Sequence, residues 1–233
     1  MEALASLLTR LDGKGYKAYK DLLGEHRFEG WTLIVDHVQA DPFAAPSRVR
    51  ARVDAATADL PQTAFTTRAR QCAARDYIAR AFRQATGNEK ALGIDAGAQT
   101  VIDRTAVLLD DGAVELRLSL SLPARGRSIM GHQARKLICE QLPRAVHTAA
   151  TARALDLHAL ERHMAVVEDQ QALRGQLAEQ ELVAFVADGA TLPRHSGVDD
   201  RPLSDAITFE SPSSLSVTLE TPNQGAIKGM GVP

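Results

Sequence analysis

Three arginines alternate along one short segment: Arg48, Arg50 and Arg52, with Val49, Ala51 and Val53 between them. On an extended chain, residues two apart share a face, so the guanidinium groups form a row with about 7 Å between neighbours. That interval approximates successive backbone phosphates of a nucleic acid, and each planar guanidinium offers paired donors suited to phosphate. The same pattern fits a solvated strand face whose arginines meet carboxylates on neighbouring strands. A second cationic group is Gly15-Tyr16-Lys17-Ala18-Tyr19-Lys20, preceded by Lys14. Aromatic rings beside lysines are how single strands are held without sequence preference. Tyr16 and Tyr19, three apart, equally suit one packed edge of a helix.

A third segment, Arg125-Gly126-Arg127-Ser128-Ile129-Met130-Gly131, spaces its glycines as a phosphate loop does and is expected to join a strand to a helix. A phosphate loop needs a lysine for the terminal phosphates and a serine or threonine for magnesium. His132 and Gln133 stand in those places, so this segment is not an ATP site. A weaker anion site remains an expectation, built from Arg125, Arg127 and the amides of the helix start at Ser128. His147, His158 and His163 lack the i, i+4 spacing of a two-ligand metal site, and no metal is expected. Asp36, His37 and Asp41 have no nucleophile near them; a loop closed by Pro42 and Pro46 accounts for that block. No catalytic residue is assigned.

The elements that position these groups follow from periodicity. Ala3 to Leu11 reads as a short amphipathic helix ended by Asp12-Gly13, and Trp31 to Val38 as an apolar strand. Thr66 to Ala85 carries Ala74, Tyr77, Ile78, Ala81 and Phe82 on one helical stripe, with Gly87 as its cap. Val101 to Leu109 and Ala113 to Leu122 flank Asp110-Asp111-Gly112 as a hairpin, its second strand alternating Val114, Leu116, Leu118, Leu120 and Leu122 with polar residues. Ser128 to Thr151 reads as a helix that Pro143 kinks or divides. Asp156 to Ala178 reads as a charged helix connecting two domains. Ala206 to Phe209, Leu215 to Leu219 and Ala226 to Lys228 read as short strands separated by turns. So few strands need partners elsewhere. The mixture predicts an α+β accessory domain with an antiparallel hairpin and packed helices over residues 1–163, then a linker and the beginning of a second domain over 164–233.

The 233 residues carry a net charge of −2, with 45% hydrophobic and 24% charged side chains, which excludes a globally basic nucleic-acid binder but not local basic patches. Cys72 and Cys139 have no CxxC spacing, so buried thiols in a reducing compartment are expected. No apolar run approaches the ~18 residues of a membrane span. The start, Met1-Glu2-Ala3-Leu4, lacks the basic residues and apolar core of a signal peptide. A cytoplasmic protein with no membrane contact is the expectation.

Longer blocks carry a resemblance. They are Gly15 to Lys20, Asp36-His37-Val38-Gln39-Ala40-Asp41-Pro42-Phe43-Ala44-Ala45-Pro46-Ser47-Arg48, and Leu122-Pro123-Ala124-Arg125-Gly126-Arg127 with Gly131. Further on come Leu182-Val183-Ala184-Phe185-Val186-Ala187-Asp188-Gly189-Ala190-Thr191-Leu192-Pro193-Arg194, Ser196-Gly197, Thr221-Pro222-Asn223-Gln224-Gly225 and Gly229-Met230-Gly231-Val232-Pro233. In this order they resemble the family of soluble predicted ATPases of the ABC class, bacterial proteins with a relative in kinetoplastid mitochondrial RNA editing. The chain departs mildly from its pattern at Ala40, where glycine is usual, and Ala190, where serine is usual. The resemblance implies a truncated ABC-type α/β core after the accessory domain, with the phosphate loop expected directly after Pro233. It also implies ATP and Mg2+ for the full-length protein, a homodimer, contact with the remainder of the ATPase domain, and RNA or another nucleic acid as partner. Arg194 and Lys228 are then nucleotide-proximal candidates, or members of domain-interface ion pairs. This chain alone is not expected to hydrolyse ATP or to hold it tightly. A stand-alone nucleic-acid binding module and a purely structural dimer platform are the alternatives.

Overall fold

Alternating burial and helical stripes divide the chain into an antiparallel sheet backed by helices and a smaller strand-rich unit. The computed structural model describes residues 2–87 and 89–233. Its two units are Met1–Glu161 and Arg162–Pro233, and both mix helices with antiparallel strands in an α+β fold.

In the first unit, α1 (Glu2–Leu11) buries Leu4, Leu8 and Leu11, the i, i+4, i+7 spacing of one helical face. A 3-10 turn over Tyr16–Leu22 leads to β1 (Gly24–Phe28), β2 (Trp31–His37) and β3 (Ser47–Val53). After α2 (Ala55–Ala58), α3 (Arg68–Thr86) begins where the Thr67 side chain accepts from the Arg70 amide, and ends at Gly87. There follow β4 (Leu92–Ile94), β5 (Val107–Asp110), β6 (Ala113–Leu120), the two-residue strands β7 (Ala124–Arg125) and β8 (Ser128–Ile129), α4 (Gly131–Lys136) and α5 (Leu142–Ala150). The main sheet runs β1-β2-β3-β6, with β4 and β5 sharing the far edge of β6, and every pairing is antiparallel.

Val49, Ala51 and Val53 of β3, Leu33 and Val35 of β2, and Val114, Leu116, Leu118 and Leu120 of β6 turn to one face and are buried. Ile78 and Phe82 of α3 and Leu142, Val146 and Ala149 of α5 lie in the same core. Each such Val, Leu, Ile or Phe contributes about 1.5–3 kcal/mol, which makes the helix-covered face of the sheet the main source of stability. The opposite face carries Arg48, Arg50 and Arg52.

Two expectations about this unit are corrected. The first hairpin strand starts at Val107 rather than Val101, because β5 pairs Val107 to Asp110 with Leu116 to Ala113 and β4 occupies the rest of that edge of β6, at Leu118 to Leu120. The helix begins at Gly131 rather than Ser128, since Ser128 and Ile129 pair back onto Arg125 and Ala124. As expected, the helical segment is divided next to Pro143: a π turn over Leu137–Gln141 separates α4 from α5 and lets the Leu142 amide reach the Leu137 carbonyl. That wider turn makes room for a ring which would otherwise strike the carbonyl four residues back.

The second unit contains α6 (Leu157–Leu177), whose first residues precede the division, then β9 (Ala184–Ala187), β10 (Arg194–Ser196), β11 (Asp199–Pro202), β12 (Ser216–Thr221) and β13 (Gly225–Val232). The strands at the end find their partner earlier in the chain, in the sheet β12-β13-β9. Close pairing of β13 with β9 requires Gly229: a Cβ there would strike the Val186 carbonyl and the Phe185 ring. Ala206 to Phe209 is not a strand. Phe209 makes two bonds to the 189–190 turn, while Ile207, 92% exposed, has no sheet to lie on. Among the described residues, no helix is long and apolar enough to cross a membrane.

Candidate nucleic-acid interface

The open face of the sheet is built from alternate residues of three strands. Register sets Arg50 directly across from Arg117, Arg52 from Glu115 and Arg48 from Ser119. Two guanidinium groups in direct opposition repel. Glu115 resolves this by accepting from both, from Arg50 at 3.2 Å and from Arg117 at 3.0 Å. Asp36 on β2 takes two further donors of Arg50 in a two-pronged pair, 2.8 Å at each contact. The Arg50 hydrogen bond holds the Asp36 carboxyl below its ordinary value, and Asp36 in turn raises the pKa of Arg50. Arg50 is therefore a neutralised, structural member of the row. Arg48 and Arg52 are exposed, and neither forms an ion pair among the described residues. A shallow cavity of about 830 Å³ on this face is lined by Asp36, Arg48, Arg50, Arg117, Asp95 and Ser119.

The Asp36–Arg50 pair gives a pH prediction. A folded carboxyl with a depressed pKa stabilises fully above the unfolded value of ~3.9, and that stability is lost as pH falls through the lower folded value. Urea midpoints at neutral pH and near pH ~3 should differ less for Asp36→Asn than for the unchanged chain. An identical pH dependence would remove Asp36 from this role. Both groups are more than a third exposed or close to it, so the pair is worth no more than about 1 kcal/mol.

Tyr16 and Tyr19 are not stacking platforms. Their rings meet edge to face at 5.1 Å, and they are only 4% and 0% exposed. Their hydroxyls donate to the carbonyls of Leu122 (3.1 Å) and Pro123 (2.7 Å). Burial pushes the Tyr16 hydroxyl up to about 12, with Asp41 adding to it, and raises Tyr19 as well. Lys17 and Lys20 stay exposed on the outer side of this turn.

Arg125 and Arg127 are exposed on the β7–β8 hairpin, which turns at Gly126 with φ 57. The anion site expected at Ser128 is contradicted. Ser128 is in a strand, and the first turn of α4 already holds a carboxylate: the Gly131 amide donates to Asp12 at 2.6 Å. A phosphate at that helix start would meet negative charge. The hairpin is tied to the 13–16 segment by the Gly13, Tyr16 and Ile129 amides, which donate to the Ile129, Arg127 and Lys14 carbonyls. Lys17 and Arg127 line one cavity of about 610 Å³ together with Phe43, Pro42 and Asp41. Phe43 had no signal as a site residue beyond the Asp-Pro turn before it. Both thiols, Cys72 and Cys139, are shifted up by burial and are poor nucleophiles.

In the second unit, Arg194 opens β10 and Lys228 lies on β13, 3.9 Å from Asp188. Asp188 also accepts from the Ser211 amide and hydroxyl, so it is a loop-fixing group. The 221–225 block is likewise structural. The Thr221 hydroxyl donates to the Gly225 carbonyl, and Asn223 donates to Asp169 on α6 from both its amide and its side chain. An ATP site needs a strand, a glycine-rich loop and a helix start bearing Lys and Ser or Thr. Among the described residues, the segments after β9 and β12 are turns and loops rather than such a helix.

No curated protein matches the chain. Two family models do: the P-loop domain matches residues 156–233, and the N-terminal domain of ATPases of the ABC class matches residues 1–153. With most of its length covered by that second match, the chain belongs to the family of ABC-class ATPases.

Proposed function

We propose that this chain supplies the nucleic-acid-holding N-terminal domain and the leading strands of the P-loop domain of an ABC-class ATPase. In this reading ATP and Mg2+ are bound with the help of residues other than these 233. The observation that carries it is the P-loop match over residues 156–233, within a sequence that contains no GxxxxGK[ST] segment. Lys and Ser or Thr of such a segment contact the β- and γ-phosphates and the magnesium ion in P-loop proteins generally. The purified chain should show no magnesium-dependent ATP turnover above a heat-inactivated control. Sustained turnover would contradict the reading.

The nucleic-acid part rests on charge that the fold leaves uncompensated. Arg48 and Arg52 on the open sheet, and Lys17, Lys20, Arg125 and Arg127 around the 3-10 turn and the β7–β8 hairpin, are all exposed. None of the six is in an ion pair among the described residues. Binding should fall with salt, because phosphate contacts release counterions. A stand-alone binding module would show the same affinity with or without the rest of the ATPase. A purely structural platform would show none.

A further inference from the structure

Phe43 is 90% exposed, yet the loop that carries it is held by several hydrogen bonds. Asp41-Pro42-Phe43-Ala44 closes a β-turn in which the Ala44 amide donates to the Asp41 carbonyl at 3.1 Å. Asp at the first position and Pro at the second are what such a turn prefers. The Asp41 side chain accepts from the Phe43 amide at 2.9 Å and fixes the tip. Behind the turn, Gln39 is only 5% exposed. Its side chain donates to the Ala44 carbonyl at 3.0 Å and accepts from the Leu122 amide at 3.3 Å, while its own amide donates to the Ser47 hydroxyl at 2.9 Å. A buried glutamine thus pins the loop to β3 and to the strand end that precedes the β7–β8 hairpin. Ordering a bare phenyl ring in water gains nothing for the fold, whose burial lies elsewhere.

The surroundings of the ring are cationic. Lys17 and Arg127 line the same cavity, and Asp41, the one carboxylate among its lining residues, is engaged by the Phe43 amide. The loop runs directly into β3, so Arg48 is the end of the arginine row nearest to it. An exposed aromatic face flanked by cations is the arrangement that holds unpaired bases. A duplex presents no free base face to such a ring.

Resting on the nucleic-acid reading above, we infer that Phe43 is a base-stacking platform. One base of a single-stranded nucleic acid lies on its ring, and the flanking phosphates lie on Lys17 and Arg127. This gives the site a preference for single strands that the arginine row alone would not have.

The test compares a fluorescein-labelled oligouridylate with an abasic oligonucleotide of equal length, by anisotropy, on the full chain and on Phe43→Ala and Phe43→Trp. A stacked base is worth about 1–3 kcal/mol, so Phe43→Ala should weaken oligouridylate binding about 5- to 150-fold. Abasic binding should be unchanged, and Phe43→Trp should keep or exceed the original affinity. Thermal unfolding of Phe43→Ala should match that of the unchanged chain, since the ring is exposed. If the unchanged chain binds oligouridylate and Phe43→Ala does not weaken it, or weakens abasic binding equally, the stacking role is overturned while the nucleic-acid reading stands. If the unchanged chain binds neither probe, both fall.

Discussion

Replacing Gly131 by alanine is expected to lower the melting temperature of the chain by roughly 4–8 °C. A Cβ at this position would strike the Leu8 carbonyl and come within 2.8 Å of the Asp12 nitrogen and 2.9 Å of its Cα. All three are backbone atoms of α1 and its end, so no side chain can swing aside. Overpacking of this kind costs about 1–3 kcal/mol, and contacts confined to backbone belong at the upper end. Alanine gains up to ~1 kcal/mol over glycine as a helix former. The clash wins by about 2 kcal/mol, worth 2–4 °C per kcal/mol in a chain of this size. Gly175 in α6 is the control, because a Cβ there meets nothing within 4 Å. Gly175→Ala should raise stability by up to ~1 kcal/mol. Calorimetry finding Gly131→Ala as stable as the unchanged chain would show that α1 and α4 do not approach as closely as described. The Gly131 amide also donates to Asp12, which ties the start of α4 to the end of α1.

The second large effect is on binding. Reversing Arg48 and Arg52 to glutamate together should flatten the slope of log affinity against log salt by about 1.4 for a single strand, at ~0.7 per phosphate contact. Affinity at low salt should fall accordingly, with the circular dichroism spectrum unchanged. Arg50 is unsuitable for this test. Its loss would leave Asp36 and Glu115 without their shared cation, and a binding defect would then be mixed with a folding defect. An unaltered salt slope in the double variant would mean that the sheet face is not a phosphate contact.

Much of this surface was legible in the sequence, because strand alternation is local. Arg48, Arg50 and Arg52 had to share a face once Val49, Ala51 and Val53 were buried. Which arginine was neutralised was not legible, since Asp36 and Glu115 arrive from other strands, 14 and 65 residues away. For the same reason the sequence left Tyr16 and Tyr19 open between a stacking surface and a packed edge. Lysines beside them suggest a stacking surface, but their hydroxyls find carbonyls more than 100 residues on, and that contact fixes them inside. The helix start near Ser128 suggested an anion site until Asp12, 119 residues earlier, filled it with a carboxylate. Phe43 was visible only as a residue of a proline-closed loop; the buried Gln39 that hydrogen-bonds this loop needed the fold. The family blocks Thr221 to Gly225 and Gly229 to Gly231 were readable as blocks. Their tasks, hydrogen-bonding α6 and admitting β9, needed the pairing of distant strands.

The most direct test of the account is a photocrosslink between the full chain and an oligonucleotide containing 4-thiouridine, with the modified peptides identified by mass spectrometry. The account predicts crosslinks on the 38–46 loop at Phe43, on β3 beside Arg48, and on the segments carrying Lys17 and Arg127. The absence of crosslinks, or crosslinks confined to residues 162–233, would contradict it.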